Sequence, residues 1–137
     1  MTTRVLLVDD HEIVRQGLRL LLERESDIEV VADAGDGHAA INLVLASPPD
    51  LVVMDIGMPG LNGVEATRQI RAKNPQVQVI ALSVHADKRF VAAMLQAGAS
   101  GFLLKTEAAR DLLEAIRTVV AGHKYISSEL ILSLIHI

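Results

Sequence analysis

Five short apolar runs recur along the chain, separated by stretches long enough for a helix, and this spacing restricts the fold more than any other feature. The runs are VLLV (5–8), EVVADA (29–34), LVVMD (51–55), VQVIALS (77–83) and GFLLK (101–105). Their Val, Leu and Ile residues mostly follow one another instead of alternating with polar residues. Continuous apolar character of this kind indicates strands that are buried on both faces, as in a parallel sheet.

Helical periodicity fills the intervals between these runs. The clearest apolar stripes are Val14, Leu18, Leu21 and Leu22 near the start, and Leu112, Ile116, Val119 and Val120 near the end. Both stripes have the spacing of one helix face, and weaker patterns predict helices over 37–46, 63–73 and 87–97. Strand and helix therefore alternate five times. This predicts an α/β domain with an open, doubly wound parallel sheet of five strands, because a closed barrel needs eight such units.

Composition narrows the class of function. The chain has 137 residues, no cysteine, no Trp, one Tyr, two Phe and a net charge of −4. These values exclude thiol chemistry and give little basis for binding nucleic acid. No two of the five histidines are spaced as zinc ligands on a helix, so we expect them to be solvated. Since there is neither a signal peptide nor a membrane-spanning run, we expect a cytoplasmic protein. One domain is expected over 1–124, followed by a linker or tail over 125–137 whose last residues need not be native.

Polar side chains stand at the ends of most predicted strands. They are Asp9 and Asp10 after the first strand, Asp55 at the end of the third, Ser83 at the end of the fourth and Lys105 at the end of the fifth. The carboxyl ends of parallel strands meet at one edge, where open α/β sheets bind ligands. Crowded carboxylates repel one another, and a hard cation such as Mg²⁺ relieves that repulsion. Beside a cation, an ammonium group and a hydroxyl, a carboxylate such as Asp55 is placed to attack phosphorus.

Each of these residues also has a simpler interpretation when it is taken alone. Asp55 precedes a Gly/Pro-rich turn and could start that turn, and Asp10 could cap the first helix. Ser83 could be a loop hydroxyl, and Lys105 could be a surface lysine. Their coincidence at one edge of one sheet favours a phosphoryl-transfer site.

The same segments resemble the receiver domain of two-component response regulators. The resemblance rests on VDDHEIVRQGL (8–18), MDIGMPGLNG (54–63), ALSVH (81–85) and AGASGFLLK (97–105), and it spans residues 4 to about 124. DDHEIVRQGL and GFLLK more narrowly resemble regulators of the NarL/FixJ type, which usually carry a LuxR-type helix-turn-helix output domain. Residues 125–137 are too few to form that domain. The resemblance implies a flavodoxin-like (CheY-like) sheet with strand order 2-1-3-4-5.

The resemblance also implies roles for individual residues. Asp55 matches the phospho-accepting aspartate, and Lys105 matches the lysine that follows the phosphoryl group. Ser83 matches the switch hydroxyl, and Phe102 matches the aromatic residue that turns inward on activation. The implied Mg²⁺ ligands are Asp9, Asp10, Asp55 and the backbone carbonyl of Gly57.

Some positions depart from the family pattern or vary within it. Thr106 follows Lys105 where many receivers have proline, and Phe102 replaces the commoner tyrosine. Neither departure affects phosphorylation, but both concern how the signal is passed on. Gly57 and His85 match variable positions that flank the path of the water that removes the phosphoryl group.

We therefore expect a phosphorylation-dependent signalling switch and not a turnover enzyme. It would accept a phosphoryl group from a sensor histidine kinase and control transcription through an output domain that this chain lacks. We also expect the chain to form a homodimer when it is phosphorylated. We expect it neither to associate with membranes nor to bind DNA by itself. The alternative is a Mg²⁺-dependent Asp-nucleophile phosphatase of the haloacid dehalogenase type. Its second aspartate, however, would fall at Gly57.

Overall fold

The computed structural model describes residues 2–58, 62–84, 88–128 and 130–131. Strands and helices alternate along the chain. The strands are β1 (Thr3–Val8), β2 (Ile28–Ala34), β3 (Leu51–Asp55), β4 (Gln78–Ser83), β5 (Gly101–Leu104) and β6 (Tyr125–Ile126). The helices are α1 (Glu12–Glu23), α2 (Gly37–Ala46), α3 (Gly63–Lys73), α4 (Lys88–Ala97) and α5 (Ala108–Val120), with a 3₁₀ turn at Lys105–Glu107. None of the described helices has the length and apolar character needed to cross a membrane.

The described strands form one parallel sheet in the order β2-β1-β3-β4-β5-β6. The predicted order of the first five strands is confirmed, but the predicted total of five is wrong because β6 adds a sixth. After α5 the chain reverses at Gly122, whose φ is +95°. The Tyr125 N–H then donates to the Ser100 carbonyl at 3.0 Å, and the Ser127 N–H donates to the Phe102 carbonyl at 3.1 Å. A strand of two residues is too short to produce a recognisable apolar run.

An apolar layer covers each face of the sheet. Along β1, Leu6 and Val8 belong to one layer, and Val5 and Leu7 belong to the other. The first layer includes residues of α2, α3 and α4, and the second includes residues of α1 and α5. Burial on both faces explains why the strands read as continuous apolar runs. Leu130, which follows β6, is 1% exposed and joins the first layer.

Candidate functional site

The carboxyl edge of the sheet places two carboxylates out of contact with solvent. Asp9 follows β1 and is 2% exposed, and Asp55 ends β3 and is 3% exposed. All five residues of β3 are buried, so the backbone that carries Asp55 is fixed by the core. Asp10, the next residue after Asp9, is exposed. One carboxylate therefore lies at the rim of the site and two lie at its floor.

Lys105 joins the two buried carboxylates. Its Nζ lies 2.9 Å from Asp9 Oδ2 and 3.0 Å from Asp55 Oδ2. Both contacts are ion pairs, and the contact with Asp55 is also a hydrogen bond. The other oxygen of Asp55, Oδ1, accepts a hydrogen bond from the Gly57 N–H at 2.9 Å. The predicted grouping of acids and lysine at one edge is thus what the fold produces.

In this cluster two acids, Asp9 and Asp55, share one positive charge, the ammonium of Lys105. Burial raises the pKa of Asp55, and the neighbouring Asp9 charge acts in the same direction. The Gly57 N–H and Lys105 oppose that rise only in part. Burial by itself would lower the pKa of Lys105, but its pairing with Asp9 and Asp55 raises it overall. The ionised cluster has two negative charges for one positive charge, so it favours a further cation.

Donor atoms for such a cation are close together. One ligand atom from each of Asp9, Asp10, His11 and Asp55 lies within 4.8 Å of every other. Asp9, Asp10 and Asp55 were predicted for this role from the sequence. His11 was expected only to be solvated. Its side chain is 66% exposed, but its Nδ1 lies 3.1 Å from Asp10 Oδ1. Its position immediately after the acid pair in DDHE was the sequence signal for it.

Ser83 and Phe102 lie on the neighbouring strands β4 and β5. Ser83 ends β4, is 6% exposed and pairs in register with Leu104. Phe102 is 2% exposed and packs in the same apolar layer as Met94 of α4. The Phe102 carbonyl accepts a hydrogen bond from the N–H of Ser127, the residue that follows β6. The predicted switch role of both residues stays a prediction, and His85 lies outside the described residues.

Two glycines beside Asp55 serve different purposes. A Cβ added to Gly57 would lie 3.6 Å from Asp55 Oδ1, an ordinary contact distance, so this position accepts a side chain. A Cβ added to Gly63 would lie 2.6 Å from the Ile56 Cα and would also collide with the Asp55 carbonyl. The first residue of α3 therefore packs directly on the backbone of the site, and only glycine allows this approach.

Two further residues support the site and were not predicted. Arg15 donates from α1 to the backbone carbonyl of Asp9 at 2.5 Å, which holds the end of β1. Glu107 is 4% exposed and accepts a hydrogen bond from the Leu104 N–H at 3.0 Å, which fixes the backbone immediately before Lys105. Both are charged residues on helical segments. Their sequence patterns are those of ordinary surface residues, so only the fold reveals their contacts.

The amino-acid sequence of this chain is similar to a known protein family and to several of its members. Residues 5–117 match the family model described as the response regulator receiver domain. The chain is 45% identical over 123 residues to the transcriptional regulatory protein DegU of Brevibacillus brevis, covering 90% of this chain and 52% of that protein. It is 44% identical over 126 residues to the response regulator UvrY of Escherichia coli K12, covering 92% of this chain and 58% of UvrY. The chain thus spans little more than half the length of these relatives.

Solved structures agree with the sequence relatives. A LuxR-family two-component response regulator from Aurantimonas sp. SI85-9A1 is 38% identical with a TM-score of 0.94, covering 98% of this chain and 96% of that chain. The isolated receiver domain of RcsB from Salmonella enterica serovar Typhimurium, solved with the phosphomimetic BeF₃⁻, is 26% identical with a TM-score of 0.89 and covers 97% of this chain and 99% of that chain. These matches confirm the resemblance stated from the sequence and give no support to the phosphatase alternative. The chain belongs to the response regulator receiver domain family of two-component systems.

Proposed function

We propose that this chain is a phosphorylation-operated switch in which Asp55 accepts a phosphoryl group from a phosphohistidine on a sensor kinase. The observation that carries this proposal is the pairing of a buried strand-end carboxylate with a lysine ammonium at 3.0 Å, beside a second buried acid. A carboxylate desolvated in this way is a better nucleophile than one in bulk water. The adjacent ammonium compensates the charge of the incoming phosphoryl oxygens.

In the proposed reaction, an Asp55 carboxylate oxygen attacks phosphorus and forms a new P–O bond. The P–N bond to the kinase imidazole breaks, and its electron pair stays on the imidazole nitrogen. The product is an aspartyl phosphate. Lys105, now held by Asp9 and Asp55, is free to pair with a phosphoryl oxygen once Asp55 has lost its negative oxygen. Ser83, at the end of the adjacent strand, is the proposed hydrogen-bond donor to a second phosphoryl oxygen.

Mg²⁺ is the proposed cofactor, and the residues present fit it. The donors are hard oxygen atoms, and the two buried carboxylates share a single ammonium, that of Lys105, which lies 2.9 Å from Asp9 Oδ2 and 3.0 Å from Asp55 Oδ2. We assign Asp10, Asp55 and the Gly57 carbonyl to direct contact, with Asp9 in support. When bound, Mg²⁺ supplies charge neutralisation for the phosphoryl oxygens. The chain's own contribution is to hold the carboxylates at fixed positions, through the Arg15 bond to Asp9 and the burial of β3.

The output of the switch is proposed to pass through Phe102. This residue lies two positions before Leu104, which pairs in register with Ser83 on the neighbouring strand. We expect a shift of Ser83 toward the phosphoryl group to change the packing around the aromatic ring. DegU is described as a transcriptional regulatory protein, and one RcsB structure is described as two RcsB dimers bound to two parallel DNAs. We propose that this chain forms a homodimer when phosphorylated, acts in the cytoplasm and regulates transcription through a separate DNA-binding domain.

Intact mass after incubation with acetyl phosphate tests the proposal. We expect one phosphoryl adduct that requires Mg²⁺ and is absent from Asp55→Asn. Asp36→Asn is the matched control, because Asp36 is exposed and asparagine caps α2 as well as aspartate does. Undiminished labelling of Asp55→Asn would show that another residue is the nucleophile. Release of inorganic phosphate from simple phosphate monoesters at a steady rate would favour the phosphatase alternative.

A further inference from the structure

Glu107 is a buried glutamate between the end of β5 and the start of α5. It is 4% exposed, although glutamate is rarely buried without a partner. Its Oε1 accepts a hydrogen bond from the Leu104 N–H at 3.0 Å. Its Oε2 is 3.7 Å from the guanidinium of Arg110, which makes shorter contacts with Asp111 at 2.8 and 2.9 Å. The Leu104 N–H is therefore the nearer of these two partners.

This hydrogen bond holds the backbone from which the Lys105 side chain starts. Lys105 follows Leu104 directly, and its own carbonyl accepts the Ala108 N–H at the end of the 3₁₀ turn. The backbone is thus tied to the start of α5 both before Lys105 and at Lys105 itself. Thr106 adds no restriction of its own, whereas a proline at this position would fix φ. The Glu107 side chain is therefore a main constraint on how the chain leaves β5.

Lys105 has to reach across the sheet to contact the two acids. Strands β3 and β4 lie between β5 and β1, and three strand spacings of about 4.8 Å amount to about 14 Å. An extended lysine side chain and an aspartate side chain only just bridge such a distance. Even so, Lys105 Nζ lies 2.9 Å from Asp9 Oδ2 and 3.0 Å from Asp55 Oδ2. A small displacement of the Lys105 backbone would therefore lengthen these contacts.

We propose that Glu107 is a positioning residue for phosphoryl transfer to Asp55, and that it acts by holding Lys105 in place through the Leu104 N–H. The inference rests on the function proposed above and deepens it. The length of the Glu107 side chain is decisive, because its oxygen has to reach a backbone amide three residues earlier. Its charge is not required, since a neutral carbonyl oxygen accepts the same hydrogen bond. Misplacing a reacting group by about 1 Å can cost on the order of a hundredfold in rate.

Labelling of Glu107→Gln and Glu107→Asp by acetyl phosphate with Mg²⁺ separates the effect of reach from that of charge. Glutamine keeps the reach and the acceptor oxygen but removes the charge, whereas aspartate keeps the charge and is a methylene shorter. Glu114→Gln and Glu114→Asp are the matched controls, because Glu114 is an exposed glutamate on α5. The rate constant of Asp55 labelling is followed by intact mass and is corrected for the folded fraction, which urea unfolding gives for each variant.

We expect the labelling rate constant of Glu107→Asp to fall about tenfold, while Glu107→Gln and both Glu114 variants stay close to wild type. In a Lys105→Ala background, Glu107→Asp should cause no further fall, because the side chain that Glu107 holds is absent. An unchanged rate in Glu107→Asp, an equal fall in Glu107→Gln, or a further fall in the Lys105→Ala background would overturn the inference. Absence of labelling in wild type would instead overturn the proposed function, which separates the two proposals.

Discussion

The carboxylate of Asp55 is buried beside that of Asp9, and the two share the ammonium of Lys105. Since burial raises the Asp55 pKa, the folded state keeps the Asp55 proton to a higher pH than the unfolded chain does. The contribution of Asp55 to stability is therefore fully present below the ordinary aspartate pKa and is lost as the pH rises through the raised value. The ionised site is therefore a source of instability at neutral pH when no metal is present.

Asp55→Asn should remove that cost, since asparagine fills nearly the same volume without a charge. We expect the metal-free variant to melt above wild type at pH 7, with a difference that shrinks as the pH falls toward about 4. Thermal unfolding across this range measures it. Asp36→Asn should follow wild type at every pH. A variant that melts at or below wild type at pH 7 would show that Lys105 fully compensates the buried charge.

Gly57 offers a second test at the scale of one residue. Its missing side chain leaves room next to Asp55 Oδ1, and a new Cβ would meet only an ordinary contact there. We expect Gly57→Leu to change the dephosphorylation rate of the aspartyl phosphate while leaving the unfolding free energy nearly unchanged. The rate is followed by loss of the phosphoryl adduct in intact mass. Equal rates for glycine, leucine and glutamate at this position would contradict the proposed path of the attacking water.

At the scale of elements, the start of α3 is pressed against the end of β3. Gly63→Ala places a methyl group on the backbone of Asp55 and Ile56, which cannot move without disturbing the buried strand. We expect a loss of about 1–3 kcal/mol in unfolding free energy, the usual cost of overpacking. Urea unfolding measures it.

Gly17→Ala is the control for that experiment. Gly17 lies inside α1, and an added Cβ there would meet nothing within 4 Å. Alanine at an unobstructed helical position should therefore raise the unfolding free energy by roughly 0.5–1 kcal/mol. If both variants lose stability equally, the close approach of α3 to β3 is not the cause.

The elements themselves were largely readable from the sequence, because strands with both faces buried need unbroken apolar runs. The grouping of Asp9, Asp55 and Lys105 was predictable for a related reason, since the carboxyl ends of parallel strands share one edge. What the sequence could not supply was side-chain direction. The turn of His11 toward the acids depends on three-dimensional placement, and the two-residue β6 leaves no periodic pattern.

At the scale of the whole molecule, the negative net charge opposes the binding of DNA. The chain carries a net charge of −4, and an aspartyl phosphate would make it more negative. We expect fluorescence anisotropy at low salt to show no sequence-selective binding of duplex DNA, whether or not Asp55 is phosphorylated. Sequence-selective binding by the 137-residue chain would overturn the assignment of DNA recognition to a separate domain.

The two-residue strand β6 also bears on aggregation. An uncovered apolar strand edge can recruit a strand from another molecule. At one side of the sheet, β2 carries the exposed acids Glu29 and Asp33, which discourage such pairing. At the other side, β5 is buried throughout, and β6 with Leu130 covers it. A chain ending at residue 124 would uncover the carbonyls of Ser100 and Phe102, and light scattering should show it self-associating at concentrations where the 137-residue chain remains dispersed.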